Sequence, residues 1–318
     1  MTTETSKDIL QKFIFDNAAV RGELVEISNA WREIQSRHDY PTAVKGLLGE
    51  MVAAAALLSA NLKFNGAIVM QIFGDGPVQL LVVECDADLH LRATAKVADG
   101  AVVADNASLE DLLNQGGKGR FVITLDPKDK VPGQQPYQGV VPLIGDNVAT
   151  VIENYMLRSE QMDTKLWLAA DDGVARGLLL QKLPRNSAIE GQVEQATEEE
   201  DLETWNRAIA LGGTLKREEL LTTDAPTLIR RLFWEETIRV FDPAHPEFRC
   251  TCSREKVGDM LKMLGRDEVE SALADLGQLG INCDFCGKHY GFDAVDCAQL
   301  FATDSTADAV APVSDVKH

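Results

Sequence analysis

Residues 67–84 read AIVMQIFGDGPVQLLVVE: an apolar run, the turn Gly74-Asp75-Gly76-Pro77, and a second apolar run. Each run has strand length and is rich in Val, Ile and Leu, and the four turn-formers between them predict a β-hairpin. A hairpin joins antiparallel strands. Working outward, the pattern recurs. Residues 9–15 and 89–97 alternate, 20–30 is amphipathic, and 120–125 and 139–143 read as strands flanking a Pro/Gly-rich loop at 126–136. A second hairpin, 164–170 with 173–182, turns at Asp171-Asp172. Val44, Leu47, Leu48, Met51, Val52, Ala55 and Leu58 recur at helical spacing and predict a helix over 42–61. Shorter helices follow at 108–113, capped by Ser108, and at 147–159. Strands that arrive in hairpins predict an α+β fold, with a mainly antiparallel sheet and helices in a core of residues 1–183.

Beyond that core the periodicity lapses over 184–196, and Glu198-Glu199-Glu200-Asp201 forms a charge run. Such a run reads as a solvated linker or as the acidic first turn of a helix. Residues 202–240 are helical in pattern, with Asp224 as a cap, Pro226 in the first turn and an apolar stripe of Leu228, Ile229, Leu232 and Phe233. Short helices depend on tertiary packing. The helical linker region 184–240 is therefore the part expected to melt when a neighbour is lost. A small unit closes the fold over 241–301, and the polar tail 302–318 is expected to be disordered.

The totals narrow the functional classes. The 318 residues carry a net charge of -19, which repels a phosphate backbone and argues against a nucleic-acid partner. Residues 47–60, the longest apolar stretch, are interrupted by Glu50 and read as a buried helix too short to span a bilayer. Residues 1–7 hold no apolar run, so a cytoplasmic protein with no membrane partner is expected. Of six cysteines, Cys85 stands alone and five lie within 250–297. In a reducing compartment, close cysteine pairs point to metal binding or thiol chemistry.

Cys283-Asp284-Phe285-Cys286-Gly287 has the zinc-knuckle spacing, and Cys250-Thr251-Cys252 offers two more sulfurs upstream. Two intervening residues let both sulfurs face one tetrahedral ion, and the glycine permits a tight turn. Between the pairs lie two short helical patterns, 253–264 and 267–276. The second pair sits in a hairpin over 281–292, followed by a helix from Ala294. Four thiolates, Cys250, Cys252, Cys283 and Cys286, make a closed site for one zinc ion, with no open position for hydrolysis. Nothing in the pattern predicts an enzyme. Thiolates are also the oxidisable form of sulfur, and each pair is close enough in sequence to form its own disulfide. Zinc contributes roughly 10–16 kcal/mol in finger peptides. A core of this size supplies about 3–5 kcal/mol, so metal loss should unfold the unit. Two other readings stay open on spacing alone: a constitutive zinc-ribbon binding module, and a thiol-disulfide oxidoreductase using Cys283 and Cys286. Cys85 reads as a core residue, Cys297 as a packed thiol, and His289 as a weak competitor for metal. Gly116-Gly117-Lys118-Gly119 lacks the leading glycine and following Ser/Thr of a phosphate loop.

With the cysteine pairs, several segments carry a resemblance. They are Asn17-Ala-Ala-Val-Arg21-Gly22-Glu23-Leu24, Leu47-Leu-Gly49-Glu50, Leu62-Lys63-Phe64, Gly74-Asp-Gly-Pro77, Gly116-Gly-Lys-Gly119, Tyr137-Gln-Gly139-Val-Val-Pro142 and Arg158-Ser159-Glu160-Gln161. Over about residues 8–300 the chain resembles the redox-regulated heat-shock chaperone family known as the 33-kDa chaperonin. The resemblance implies an α/β core, a helical linker at about 184–240 and a zinc-binding redox-switch domain. It implies an ATP-independent holdase, inactive when reduced and zinc-bound through Cys250, Cys252, Cys283 and Cys286. Oxidants would release zinc and form the disulfides Cys250-Cys252 and Cys283-Cys286. The linker would then lose structure, and a homodimer would bind unfolding client proteins.

Overall fold

The computed structural model describes residues 8–62, 65–129, 136–184 and 197–302. Lys63 and Phe64, most of the Pro/Gly-rich loop, nearly all of the aperiodic stretch 184–196, and the tail from 303 lie outside the described residues. The chain divides into two compact units, one ending at Arg249 and one beginning at Cys250. The first contains β1 (Ile9–Phe15), β2 (Val20–Ile27), α1 (Asn29–Gln35), α2 (Thr42–Ser59), β3 (Gly66–Phe73), β4 (Val78–Asp86), β5 (His90–Val97), α3 (Leu109–Leu113) and β6 (Arg120–Pro127). It continues with β7 (Tyr137–Pro142), α4 (Val148–Ser159), β8 (Thr164–Ala170), β9 (Ala175–Lys182), α5 (Glu198–Gly212), α6 (Arg217–Thr222), α7 (Ala225–Leu232), β10 (Ile238–Val240) and β11 (Glu247–Phe248). The second holds α8 (Arg254–Leu264), α9 (Arg266–Leu276), β12 (Leu279–Asn282), β13 (His289–Phe292) and α10 (Ala294–Ala302).

Two sheets organise the first unit, ordered β10-β1-β2-β9-β8 and β11-β5-β4-β3-β6-β7. Among the described residues every pairing between strands is antiparallel except β11 with β5, so the expected α+β class and antiparallel sheet are found. The hairpin at 67–84 becomes β3 and β4. At its turn a Cβ on Gly74 would lie 2.2 Å from the Val78 carbonyl oxygen, and one on Gly76 2.5 Å from that of Leu112. Only glycine fits so close to backbone.

Helix α2 is covered from both sides, by β2, β8 and β9 of one sheet and by β3, β4 and β5 of the other. By length and composition its 18 residues could cross a membrane. Its burial explains the composition instead: a helix apolar over most of its surface is one enclosed in a core. Val44, Leu48, Met51 and the run from Val52 to Leu58 are all buried. Gly49 lets α2 approach β8, since a Cβ there would stand 2.4 Å from that of Ala170.

The opposite face of the five-stranded sheet carries a second apolar cluster. Phe13, Phe15, Leu24, Leu178 and Leu180 meet Trp205, Ala208, Leu228, Ile229 and Phe233 of the segment 197–233. The acidic run proves to be the first turn of α5, closed by a Thr197–Glu200 capping box. Polar pins fix these helices to the sheet. Buried Asp201 accepts the Ala19 N–H at 2.9 Å, and Arg176 of β9 donates to the carbonyls of Leu220 and Thr223 while pairing with Glu26 at 3.0 Å. Arg217 of α6 donates to the Ala170 carbonyl and faces Glu50 of α2 at 3.7 Å. Helix does not persist to 240 as the pattern suggests. It ends at Leu232, and Ile238–Val240, with β-branched residues at both ends, pairs with the edge of β1. Residues 241–249 also belong by contact to the first unit.

Glu50 yields a pH prediction. Burial pushes its carboxyl up to about 7, against the pull of Arg217. A raised folded-state value means that this group's contribution is full below the ordinary carboxylate range and is lost as pH rises through about 7. The loss amounts to about 3 kcal/mol at most. Glu50→Gln should therefore be more stable than wild type at pH 8 in urea titrations, with the gap nearly closed at pH 4. A difference independent of pH would show that another group titrates.

Candidate metal centre

The second unit is small. Among its described residues, Leu261, Val269, Leu279, Tyr290, Phe292 and Cys297 form the buried cluster. Strands β12 and β13 pair from Leu279↔Phe292 to Asn282↔His289, and the chain then reverses through 283–288. Gly287, at φ 70°, donates its N–H to the Cys283 carbonyl at 2.8 Å, and the Cys283 N–H reaches the Lys288 carbonyl at 3.0 Å. A positive φ is what the glycine of the knuckle supplies. Cys250 and Cys252 precede α8, whose cap Ser253 accepts the Lys256 N–H at 3.1 Å. Arg254 then ties α8 to the rest, stacking 4.3 Å from the Phe292 ring centroid and pairing with Asp296 at 2.8 Å.

These supports bring the four predicted sulfurs together. Cys250 and Cys283 Sγ stand 3.7 Å apart, Cys252 and Cys286 Sγ 3.4 Å, and all four lie within 4.8 Å of one another. A zinc ion with four sulfurs at 2.3 Å sets them about 3.8 Å apart, the edge of a regular tetrahedron. The donor set thus fits a zinc ion. Cys252 and Cys283 also pack against the small apolar cluster, so the sulfurs extend the unit's core.

The thiols do not share one acidity. For Cys252, burial opposes ionisation, but hydrogen bonds from the Tyr290 hydroxyl, at 3.1 Å, and from the neighbouring thiols outweigh it and bring the group to about 7. Burial and the surrounding sulfurs push Cys286 up to about 12, and burial also raises Cys250. Cys252 forms a thiolate readily, whereas Cys286 and Cys250 resist. A divalent cation among them would reverse that resistance. The part played by Tyr290 was not visible in the sequence, because its hydroxyl meets a cysteine 38 positions away.

Other candidates resolve into structural roles. Cys85 is fully buried in β4, where burial pushes its thiol up to about 12. Cys297 is buried in α10 outside the four-sulfur group, and His289 bonds Asn282 Oδ1 at 2.8 Å. In the 116–119 loop the Asp75 carboxylate accepts the Lys118 N–H at 2.9 Å, so an internal anion occupies what a phosphate would need. Asp86, Asp88 and His90, not singled out from the sequence, also lie close enough to hold a cation. The Asp86 oxygens already accept the Asp88 and His90 N–H groups and the Lys128 ammonium, which makes this a turn staple.

Comparison with known proteins agrees with this geometry. The sequence model of the family described as Hsp33 protein matches residues 8–293. A "33 kDa chaperonin" of Methylobacillus flagellatus is 46% identical over 98% of this chain and 99% of its own length. One of Chromobacterium violaceum is 48% identical over 98% of each chain. The crystal structure of the 33 kDa chaperonin of Thermotoga maritima superposes with a TM-score of 0.75, covering 95% of this chain and 99% of that one at 21% identity, a likeness of fold.

A test of the centre follows from Tyr290. Tyr290→Phe should keep one zinc per chain but weaken it about 10–100-fold, the usual effect of removing a group that orients a ligand. Competition with a chromophoric chelator measures this. Unchanged affinity would reduce the hydroxyl to packing.

Proposed function

The chain belongs to the Hsp33 family, and from that membership and its four clustered thiols we propose a chaperone that holds unfolding proteins without ATP once it is oxidised. The reading is carried by one observation: four sulfurs within 4.8 Å of one another, in a unit with a small apolar core. In the reduced, resting form Cys250, Cys252, Cys283 and Cys286 hold one zinc ion. Bound there, zinc would supply the positive charge that lets all four remain thiolates.

With a peroxide as oxidant, one thiolate of a pair attacks an oxygen, the O–O bond breaks, hydroxide leaves and a sulfenic acid remains. The neighbouring thiol displaces that oxygen as water and closes the S–S bond. Each pair gives two electrons to one peroxide. The pairs we assign are Cys250-Cys252 and Cys283-Cys286, neighbours in sequence whose sulfurs are already close. Both disulfides together remove every metal ligand, and the unit loses its fold. The thiols are consumed once per switch, which is regulation rather than turnover.

The linker region, 184–240, responds next in this reading. It lies just upstream of the cysteines in the chain, and its helices α5 to α7 owe their order to the sheet beneath them. Its departure bares Phe13, Phe15, Leu178 and Leu180, an apolar face suited to client proteins, and an oxidised chain with this face open pairs as a homodimer. The net charge of -19 keeps such a species soluble in the cytoplasm.

Light scattering of a heat-denaturing protein, with zinc release and far-UV circular dichroism followed in parallel, tests the switch. Suppression is expected only after peroxide, with zinc release and loss of helix. Suppression already complete in the reduced, zinc-loaded form, or zinc release without helix loss, would overturn it. Gly212 offers a second test, because a Cβ there would stand 2.5 Å from the Trp167 ring. Gly212→Leu should push α5 off the sheet, so the reduced, zinc-loaded variant should hold clients without oxidant. A variant with α5 displaced that remains inactive would show that this helix does not restrain activity.

A further inference from the structure

Between α7 and Cys250 the chain runs as a strap along the edges of both sheets of the first unit. Strand β10 pairs with β1, Phe13↔Val240 to Phe15↔Ile238, and the Asp16 N–H reaches the Thr237 carbonyl at 2.9 Å. The Phe241 N–H meets the Lys12 carbonyl at 3.0 Å, and Leu10 and Ala244 exchange bonds of 2.8 and 2.9 Å. Farther on, β11 lies parallel to β5, with the Glu247 and Arg249 N–H groups on the Leu89 and Leu91 carbonyls at 3.1 and 2.9 Å.

Beside these backbone bonds the strap has a few side-chain ties: Arg239 pairs with Asp16 at 3.0 Å, His245 Nδ1 bonds the Asp8 carbonyl at 2.9 Å, and Arg37 lies over the Phe248 ring. Ile238 packs on the outer apolar cluster, and Ala244 and Phe248 pack on the central one. Val240 and Phe241 stay 49% and 39% exposed, and Arg239, Asp242, Pro243, His245 and Glu247 are exposed as well. Pro243 and Pro246 lack the N–H a ladder needs, so the strap is cut into pieces of three and two residues. Strand β1 is seven residues long. The strap's bonds reach from Asp16 to Leu10 with an irregularity between Phe241 and Ala244, and an uninterrupted extended segment could pair along the same edge without that break.

We propose that the outer edge of β1, with the short edge of β5 at 89–91, is a strand-addition site for extended segments of unfolding proteins, filled by the strap at rest. The proposal rests on the holdase reading above and names how the client is gripped. Strand addition takes most of its affinity from main-chain bonds and little from sequence, which suits a protein that must accept many partners. The favoured segment is extended and free of proline, with an apolar residue where Ile238 sits. The strap is released by continuity: it ends at Arg249, one residue before the first cysteine of the switch. Unpaired edges are hazardous, and the strap keeps them covered until they are needed.

Amide hydrogen exchange on the full-length protein tests this, with reduced, carboxymethylated α-lactalbumin as a permanently unfolded client. The Leu10 and Asp16 amides should be protected when reduced and zinc-loaded, exchange at least ten-fold faster after oxidation, and regain protection with client. A synthetic peptide of residues 236–245 should compete with the client, and the same peptide N-methylated at Arg239 should compete at least ten-fold less. Client bound while these amides exchange freely would overturn the proposal, as would equal competition by both peptides. Protection that returns on oxidation alone and grows with protein concentration would assign the edges to a second copy, overturning the client assignment. An oxidised chain that suppresses no aggregation would instead overturn the holdase reading. The 236–245 peptide then decides the β1 edge alone: protection supports it as a strand-addition site, and its absence overturns it.

Discussion

Four sulfur atoms within 4.8 Å of one another cannot all be charged unless positive charge sits among them. That constraint governs the second unit. Two of the sulfurs, on Cys252 and Cys283, pack against its few buried side chains, so its electrostatics and its folding are one problem. Whatever changes the charge or bonding of the thiols changes the packing that surrounds them. The first unit has no such dependence. Its centre is α2, packed between two sheets mainly by apolar contacts.

Helices α5 to α7 stand between these extremes. Their apolar side chains cover a sheet face that would otherwise be an exposed patch of Phe and Leu, and their polar pins are few: Asp201, Arg176 and Arg217. Hydrogen bonds to charged groups contribute about 1.5–3 kcal/mol each. They set where the helices lie as well as how firmly they are held. A cover of this sort can leave without disturbing the sheet beneath it, because the strands beneath bond one another and α2 packs on the opposite face.

Local features of the fold were legible in the sequence, and distant ones were not. The β3–β4 hairpin, α2, the caps at Ser108 and Asp224, and the knuckle turn at Gly287 are each decided by residues a few positions apart. The cysteine spacings belong with them, since two short motifs suffice to suggest one four-sulfur cluster. By contrast β10 and β11 are strands of three and two residues, defined by partners more than 150 positions away on β1 and β5. No periodicity can show in so few residues, and the helical pattern of the sequence runs on past Leu232 for that reason. Glu50 looked like an interruption of an apolar run. Its resistance to ionisation comes from burial, and its ion pair with Arg217 forms only when α6 packs near α2. The Tyr290–Cys252 bond likewise needs the folded hairpin.

The separation of the two cores has a consequence for recovery. Since α2 and its enclosing sheets owe nothing to sulfur chemistry, an oxidative episode would leave the larger body intact as a template. Return to quiescence would then be a local repair: reducing equivalents, a fresh metal ion, and the re-docking of three helices and the strap onto sheets whose inner strands never lost their shape. A protein built this way could be reset and reused after each insult, where one with a single shared core would have to refold from the beginning.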